Sequence, residues 1–108
     1  MNVTLEQRSG VELMAVHGRI DSTTAAAFEA ETVKWLEAPG TRYVIDFSAV
    51  TFLSSAALRV LLTMAKRSAR SGKNICLAAP SPEVMEIFQI SNFIAIFKIV
   101  PTVEEAVA

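Results

Sequence analysis

The chain opens on two apolar, β-branched runs, Asn2 to Arg8 and Val11 to His17, separated by Ser9-Gly10. A short glycine-containing turn between such runs predicts an antiparallel hairpin. After Gly18-Arg19-Ile20-Asp21 the pattern changes: Ser22 to Leu36 is rich in Ala and Glu and places Ala25, Phe28, Thr32 and Leu36 on one helical face. Asp21 or Ser22 is available as the cap, and Pro39-Gly40 ends the segment. Tyr43 to Phe47 is almost wholly apolar, as expected of a central strand covered on both faces, and Ser48 to Leu53 reads as a short loop. The clearest helix follows. Leu58, Leu61, Leu62, Ala65 and Ala69 form an apolar stripe opposite Arg59, Thr63, Lys66, Arg67 and Arg70, and Gly72 is placed as its C-terminal cap. Lys73 to Ala79 predicts a further strand. Ser81-Pro82-Glu83 starts a helix with core residues Val84, Ile87 and Phe88, Phe97 to Val100 makes the last strand, and Thr102 caps a final short helix. The expected order is β-β-α-β-α-β-α-β-α, an α/β fold with a mixed, mostly parallel sheet of about five strands and about four helices.

A length of 108 residues predicts one domain, residues 1–108, with one hydrophobic core. Apolar residues make up 52% and charged residues 19%, ample for folding and unlike a disordered chain. The net charge of -1 lacks the basic surplus that phosphate neutralisation requires, so nucleic acid is not an expected partner. The apolar stretches are too short and interrupted to insert in a bilayer, and no signal-like N-terminal pattern is present, which leads to an expectation of a cytoplasmic protein. Cys76 is the only cysteine, which precludes an internal disulfide or a cysteine metal cluster, and its apolar surroundings predict a buried core thiol.

Enzyme chemistry requires a constellation of groups, and none is visible. His17 is the sole histidine, with no second ligand or orienting acid, and the glycines at 10, 18, 40 and 72 are isolated in turns. The expectation is a protein that is not an enzyme and has no catalytic residues, metal or cofactor. What remains is Ser54-Ser55, two hydroxyls where a loop after a central strand enters the strongest helix. Locally, Ser54 reads as N-cap and Ser55 as first helical residue, worth about 1 kcal/mol. The same position is also a favoured place for an anion, and hence for a phosphorylated hydroxyl.

The segment Tyr43-Val44-Ile45-Asp46-Phe47-Ser48-Ala49-Val50-Thr51-Phe52-Leu53-Ser54-Ser55-Ala56-Ala57-Leu58-Arg59-Val60-Leu61-Leu62 resembles the STAS signature, in which an apolar strand ending in Asp and a small loop lead to Asp-Ser-Ser-Gly-Leu at a helix start. Gly18-Arg19-Ile20-Asp21-Ser22-Thr23-Thr24-Ala25 is similar to the family's Gly-x-Leu-Asp segment before its first helix, and Val84 to Asn92, Phe97 and Thr102 to Ala106 match its usual ending. The resemblance covers nearly the whole chain and is of the anti-sigma factor antagonist type. It implies a regulator that binds an anti-sigma factor with serine kinase activity, is switched off by serine phosphorylation and is reset by a phosphatase. Aligned without gaps, Ser54 replaces the motif's Asp, Ser55 its first Ser, Ala56 the usually phosphorylated Ser, and Ala57 the Gly. Ser55 is then the expected acceptor, with Ser54 second. The docking face would comprise Asp21, Ser22, Thr23, Ser54, Ser55, Ala56, Ala57 and Arg59. The alternative is a non-phosphorylated STAS subunit of a lipid-transport or stressosome-like assembly, which Ala56 and Ala57 favour.

Overall fold

The computed structural model describes residues 1–108 and contains five strands, four α-helices and one 3-10 turn. Strands β1 (Asn2–Arg8), β2 (Val11–Ile20), β3 (Arg42–Leu53), β4 (Asn74–Ala78) and β5 (Lys98–Val100) lie side by side in chain order. The β1–β2 pair is antiparallel and all later pairs are parallel. The hairpin turns at Ser9 and Gly10, whose φ of 54° and 77° are the two positive values that a two-residue turn needs to match strand twist. The parallel steps require crossovers, supplied by α1 (Ala25–Trp35), α2 (Ser55–Ser71) and α3 (Pro82–Ile90). Successive right-handed crossovers in one direction along the sheet put these three helices on one face. Their inner residues form a single core with the strands: Phe28 and Trp35, Leu61 and Met64, and Val84 and Phe88 pack on Met14, Val16, Tyr43, Ile45, Phe47 and Leu77. Helix α4 (Val103–Val107) covers part of the opposite face, where Ala106 packs with Val11, Leu13, Val44 and Ala78.

The hairpin, the α/β order and the caps at Ser54, Gly72, Ser81 and Thr102 follow the sequence expectations. Several boundaries differ. Strand β3 does not stop at Phe47: Ser48 to Leu53, expected as a loop, continues the strand to Leu53. Its pairing with β2 shifts register between Ala15 and His17 and again between Gly18 and Arg19. Each bulge inserts one extra residue and bends the strand. Phe47, Val50 and Leu53 therefore all reach the same core at intervals of three, which hides the two-residue strand period. Strand β2 likewise runs past His17 to Ile20, and His17 is an exposed strand residue opposite Asn2 and Ala49 rather than a strand end.

Helix α1 starts at Ala25, not Ser22, because Asp21, Thr23 and Thr24 bond to one another in a turn before it, as short polar side chains do when they compete with helical bonds. The α2 stripe is rotated by one residue: Ala57, Val60, Leu61, Met64 and Ser68 are buried, while Leu58 and Ala65 only border the core and Leu62 and Ala69 are exposed. Leu61 is common to both stripes; Ser68 is accommodated because its hydroxyl donates to the Ala65 carbonyl. In α3, Val84 and Phe88 are buried and Ile87 is half-buried. Cys76 is half-buried at the margin of the smaller cluster rather than in the core, and this partial burial raises its thiol pKa.

Phe88 joins the sheet to the helical layer, with its ring edge-on to Phe47 and stacked on Phe93. Phe88→Ala is expected to lower unfolding free energy by about 3–5 kcal/mol in urea titration. A loss under about 1 kcal/mol would mean that the site collapses and the aromatic cluster is not the centre of the core.

Candidate functional site

Parallel pairing places the carboxyl ends of β2 and β3 side by side, with Ile20 opposite Leu53. The chain leaves β2 through Asp21 to Thr24 and leaves β3 through Ser54 into α2, and the two exits are joined by the Ser54 N–H donating to the Ile20 carbonyl at 2.9 Å. This brings together the segment at 21–23 and the segment at 54–59, which lie more than thirty residues apart in the chain.

Ser54 is the N-cap of α2: its backbone is extended and its Oγ accepts the Ala57 N–H at 3.2 Å. Its hydroxyl is therefore committed to the helix and half-buried. Ser55, the first helical residue, is exposed, and its side chain makes no hydrogen bond within the chain. No acidic residue occupies the first turn of α2, so the partial positive charge at this helix end is uncompensated by the helix's own side chains. Arg59 is exposed one turn further on, without an acid in salt-bridge range. Lys66, Arg67 and Arg70 continue the basic side, also unpaired and solvated.

The β2–α1 turn is the more densely hydrogen-bonded half of the site. Asp21 Oδ1 accepts the Thr23 N–H at 2.9 Å and the Thr23 hydroxyl at 2.7 Å, and the Thr24 hydroxyl accepts the Asp21 N–H. These bonds favour the ionised carboxylate and lower its pKa from 3.8 to about 2, the Thr23 hydroxyl contributing most and the Thr23 amide next. Arg19 also approaches Asp21 Oδ2 at 3.6 Å while its guanidinium lies 4.4 Å from the centre of the Phe52 ring. Sequence reasoning missed Arg19, Thr24 and Phe52 as parts of this corner. Arg19 and Thr24 sit in the Gly18 to Ala25 segment and Phe52 in the signature segment, but only the register that pairs Arg19 with Phe52 shows that they meet.

Asp21, Ser22, Thr23, Ser54, Ser55, Ala56 and Arg59 thus share one end of the sheet and are exposed or half-buried. Ala57 differs. It is 0% exposed and packs in the core, so its side chain cannot meet a partner. The site thus gathers the exposed Ser55 hydroxyl, the ionised Asp21 carboxylate and the unpaired Arg59 guanidinium at one end of the sheet. No group of three or more His, Cys, Asp or Glu side chains is arranged to hold a metal ion.

The STAS domain family model matches residues 2–106. The chain belongs to the STAS family. A candidate anti-sigma factor antagonist, BtrV of Bordetella bronchiseptica, is 32% identical over 108 residues, spanning 100% of this chain and 93% of that protein. The crystal structure of an anti-sigma factor antagonist from Mycobacterium paratuberculosis superposes with a TM-score of 0.88 at 27% identity, covering 97% of this chain and 89% of that one. A third antagonist-like protein, from Thermotoga maritima, shares the fold with a TM-score of 0.89 at 21% identity, covering 96% and 90%. The chain is therefore of the anti-sigma factor antagonist type, the class of regulator its sequence resembles. No helix is long and apolar enough to cross a membrane.

Because the folded carboxyl of Asp21 titrates below its ordinary value, its bonds stabilise the fold above pH 3.8 and lose that effect as pH falls toward about 2. Thr23→Ala is expected to move the Asp21 titration, followed by carboxyl-carbon NMR, upward toward 3.8. An unchanged midpoint would show that the turn's other donors hold the carboxylate. Ser54→Ala should cost about 1 kcal/mol through loss of the cap, whereas Ser55→Ala should leave stability nearly unchanged in the same urea titration.

Proposed function

We propose that this STAS domain is a partner-switching antagonist: it sequesters an anti-sigma factor that is also a serine kinase, and phosphorylation of Ser55 releases that partner. A phosphatase resets the switch, and the exchange takes place in the cytoplasm. The observation that carries this reading is the contrast between the two serines. Ser54 is tied up in capping, whereas the Ser55 hydroxyl is exposed and free at the start of a 17-residue helix. Arg59 and the first-turn amides other than Ala57's, which Ser54 already caps, favour an added phosphate in the free protein. In the complex the same group would bring about -1.5 to -2 charges into a docked, partly desolvated face that already carries ionised Asp21. A hundredfold weaker complex corresponds to about 2.7 kcal/mol. The proposed face comprises Asp21, Ser22, Thr23, Ser54, Ser55, Ala56 and Arg59.

A second reading is favoured by Ala56, which stands where the family signature has its usual phosphorylated serine. In it the same face docks without covalent control, as part of a larger assembly.

Incubation with ATP and host extract, followed by mass spectrometry, is expected to yield a single phosphoryl group that disappears in Ser55→Ala and persists in Ser54→Ala. Absence of modification beside an active partner kinase would leave the non-covalent reading. Arg59→Ala should weaken capture of the anti-sigma factor about tenfold without altering thermal unfolding, and unchanged affinity would remove Arg59 from the face.

A further inference from the structure

The two edges of the sheet are unequal. At one end, β5 is three residues long and carries Lys98, both of which discourage pairing with another strand. At the other end, β1 is seven residues long, exposed at every position except half-buried Val3, and free of proline, lysine and bulges. It pairs only with β2, and Leu5, a large apolar residue, is 54% exposed on it. Counting from the two-residue turn, Arg8 and Val11 form the closing hydrogen-bonded pair, and the alternation of an antiparallel ladder then directs Thr4 toward β2. Val3, Leu5 and Gln7 direct their N–H and C=O groups away from β2, toward the open edge.

We infer that β1 is a self-association edge that pairs antiparallel with β1 of a second copy about a two-fold axis at Thr4. The chemistry of the strand is self-complementary in that register. Val3 meets the partner's Leu5 and exchanges two backbone bonds with it, and the reverse pair adds two more. Both apolar pairs lie on the helix-bearing side, since Val3 and Leu5 pair with Val16 and Met14 of β2. On the other side Thr4 meets the second Thr4, and Asn2 meets the partner's Glu6, so no like charges stand opposite each other. A second copy satisfies every one of these positions at once. The resulting ten-stranded sheet reverses strand direction across the axis, so the two Ser55 sites lie at opposite ends and both stay open to partners. The contact is a single strand pair and falls in the weak interface class, with a Kd of about 0.1–1 mM.

The register makes the test specific. In a Cys76→Ser background, Thr4→Cys is expected to form an intermolecular disulfide under mild oxidation, because Thr4 faces its own copy at a non-hydrogen-bonded position with Cα atoms about 4.5 Å apart. Glu6→Cys alone should not cross-link to itself, whereas a mixture of Glu6→Cys and Asn2→Cys should give the heterodimer. Sedimentation velocity of the unmodified chain should show the average mass rising toward the dimer as concentration approaches about 1 mM. Leu5→Pro removes an outward N–H without breaking a β1–β2 bond and should abolish that rise while circular dichroism stays native. A strictly monomeric chain across the range, or equal cross-linking at positions 4 and 6, would overturn the proposal.

Discussion

The parallel pairing of β2 with β3 is the constraint on which the rest of this molecule depends. Strand β3 is the middle strand of the five and contributes Tyr43, Ile45, Phe47, Val50 and Leu53 to one core and Val44 to the other. Its two bulges against β2 keep Phe47, Val50 and Leu53 all facing the helices, and each adds one residue to β3 relative to β2. The final pair, Ile20 with Leu53, sets where both strands release the chain. Everything at the candidate site inherits its position from that pair.

From this exit geometry the division of labour between the serines follows. Ser54 turns the chain from strand to helix, bonding by its N–H to Ile20 and by its Oγ to Ala57. Ala57 and Leu61 then anchor the helix in the core. The residue between cap and core, Ser55, is left exposed on the outer side and takes part in neither anchor. Across from it, the Asp21 turn is held by its own threonines and by Arg19, so both exits of the chain are tied by hydrogen bonds.

The far end of the sheet is secured differently. Lys73 donates to the carbonyls of Leu36 and Ala38 at 2.6 Å each and to the Tyr43 hydroxyl at 2.9 Å, tying the end of α1 to the start of β4. A cation at a helix C-terminus satisfies carbonyls that would otherwise lack partners. Arg42 similarly bonds the carbonyls of Ala106 and Ala108, holding α4 against the sheet. These clamps bear on stability at the end opposite Ser55, which separates them from the proposed docking face.

By itself the sequence determined whatever depends on neighbours along the chain. The Ser9-Gly10 hairpin, the Ser54 and Ser81 caps, the Gly72 terminus with φ of 68°, and the order of strands and helices are local matters of backbone preference and periodicity. Motifs in register also pointed to the STAS family and to the hydroxyls at 54 and 55. Tertiary structure alone decided what depends on pairing between distant segments. The bulges converted an apparent loop at 48–53 into strand, because an inserted residue changes the period without changing composition. Packing against β3 rotated the buried stripe of α2 by one residue, since alanines can face either way at little cost and Met64 fills the core better. The union of Asp21 with Ser55, the engagement of Arg19 with Phe52, and the removal of Ala57 from the surface required the β2–β3 register, which no local pattern encodes.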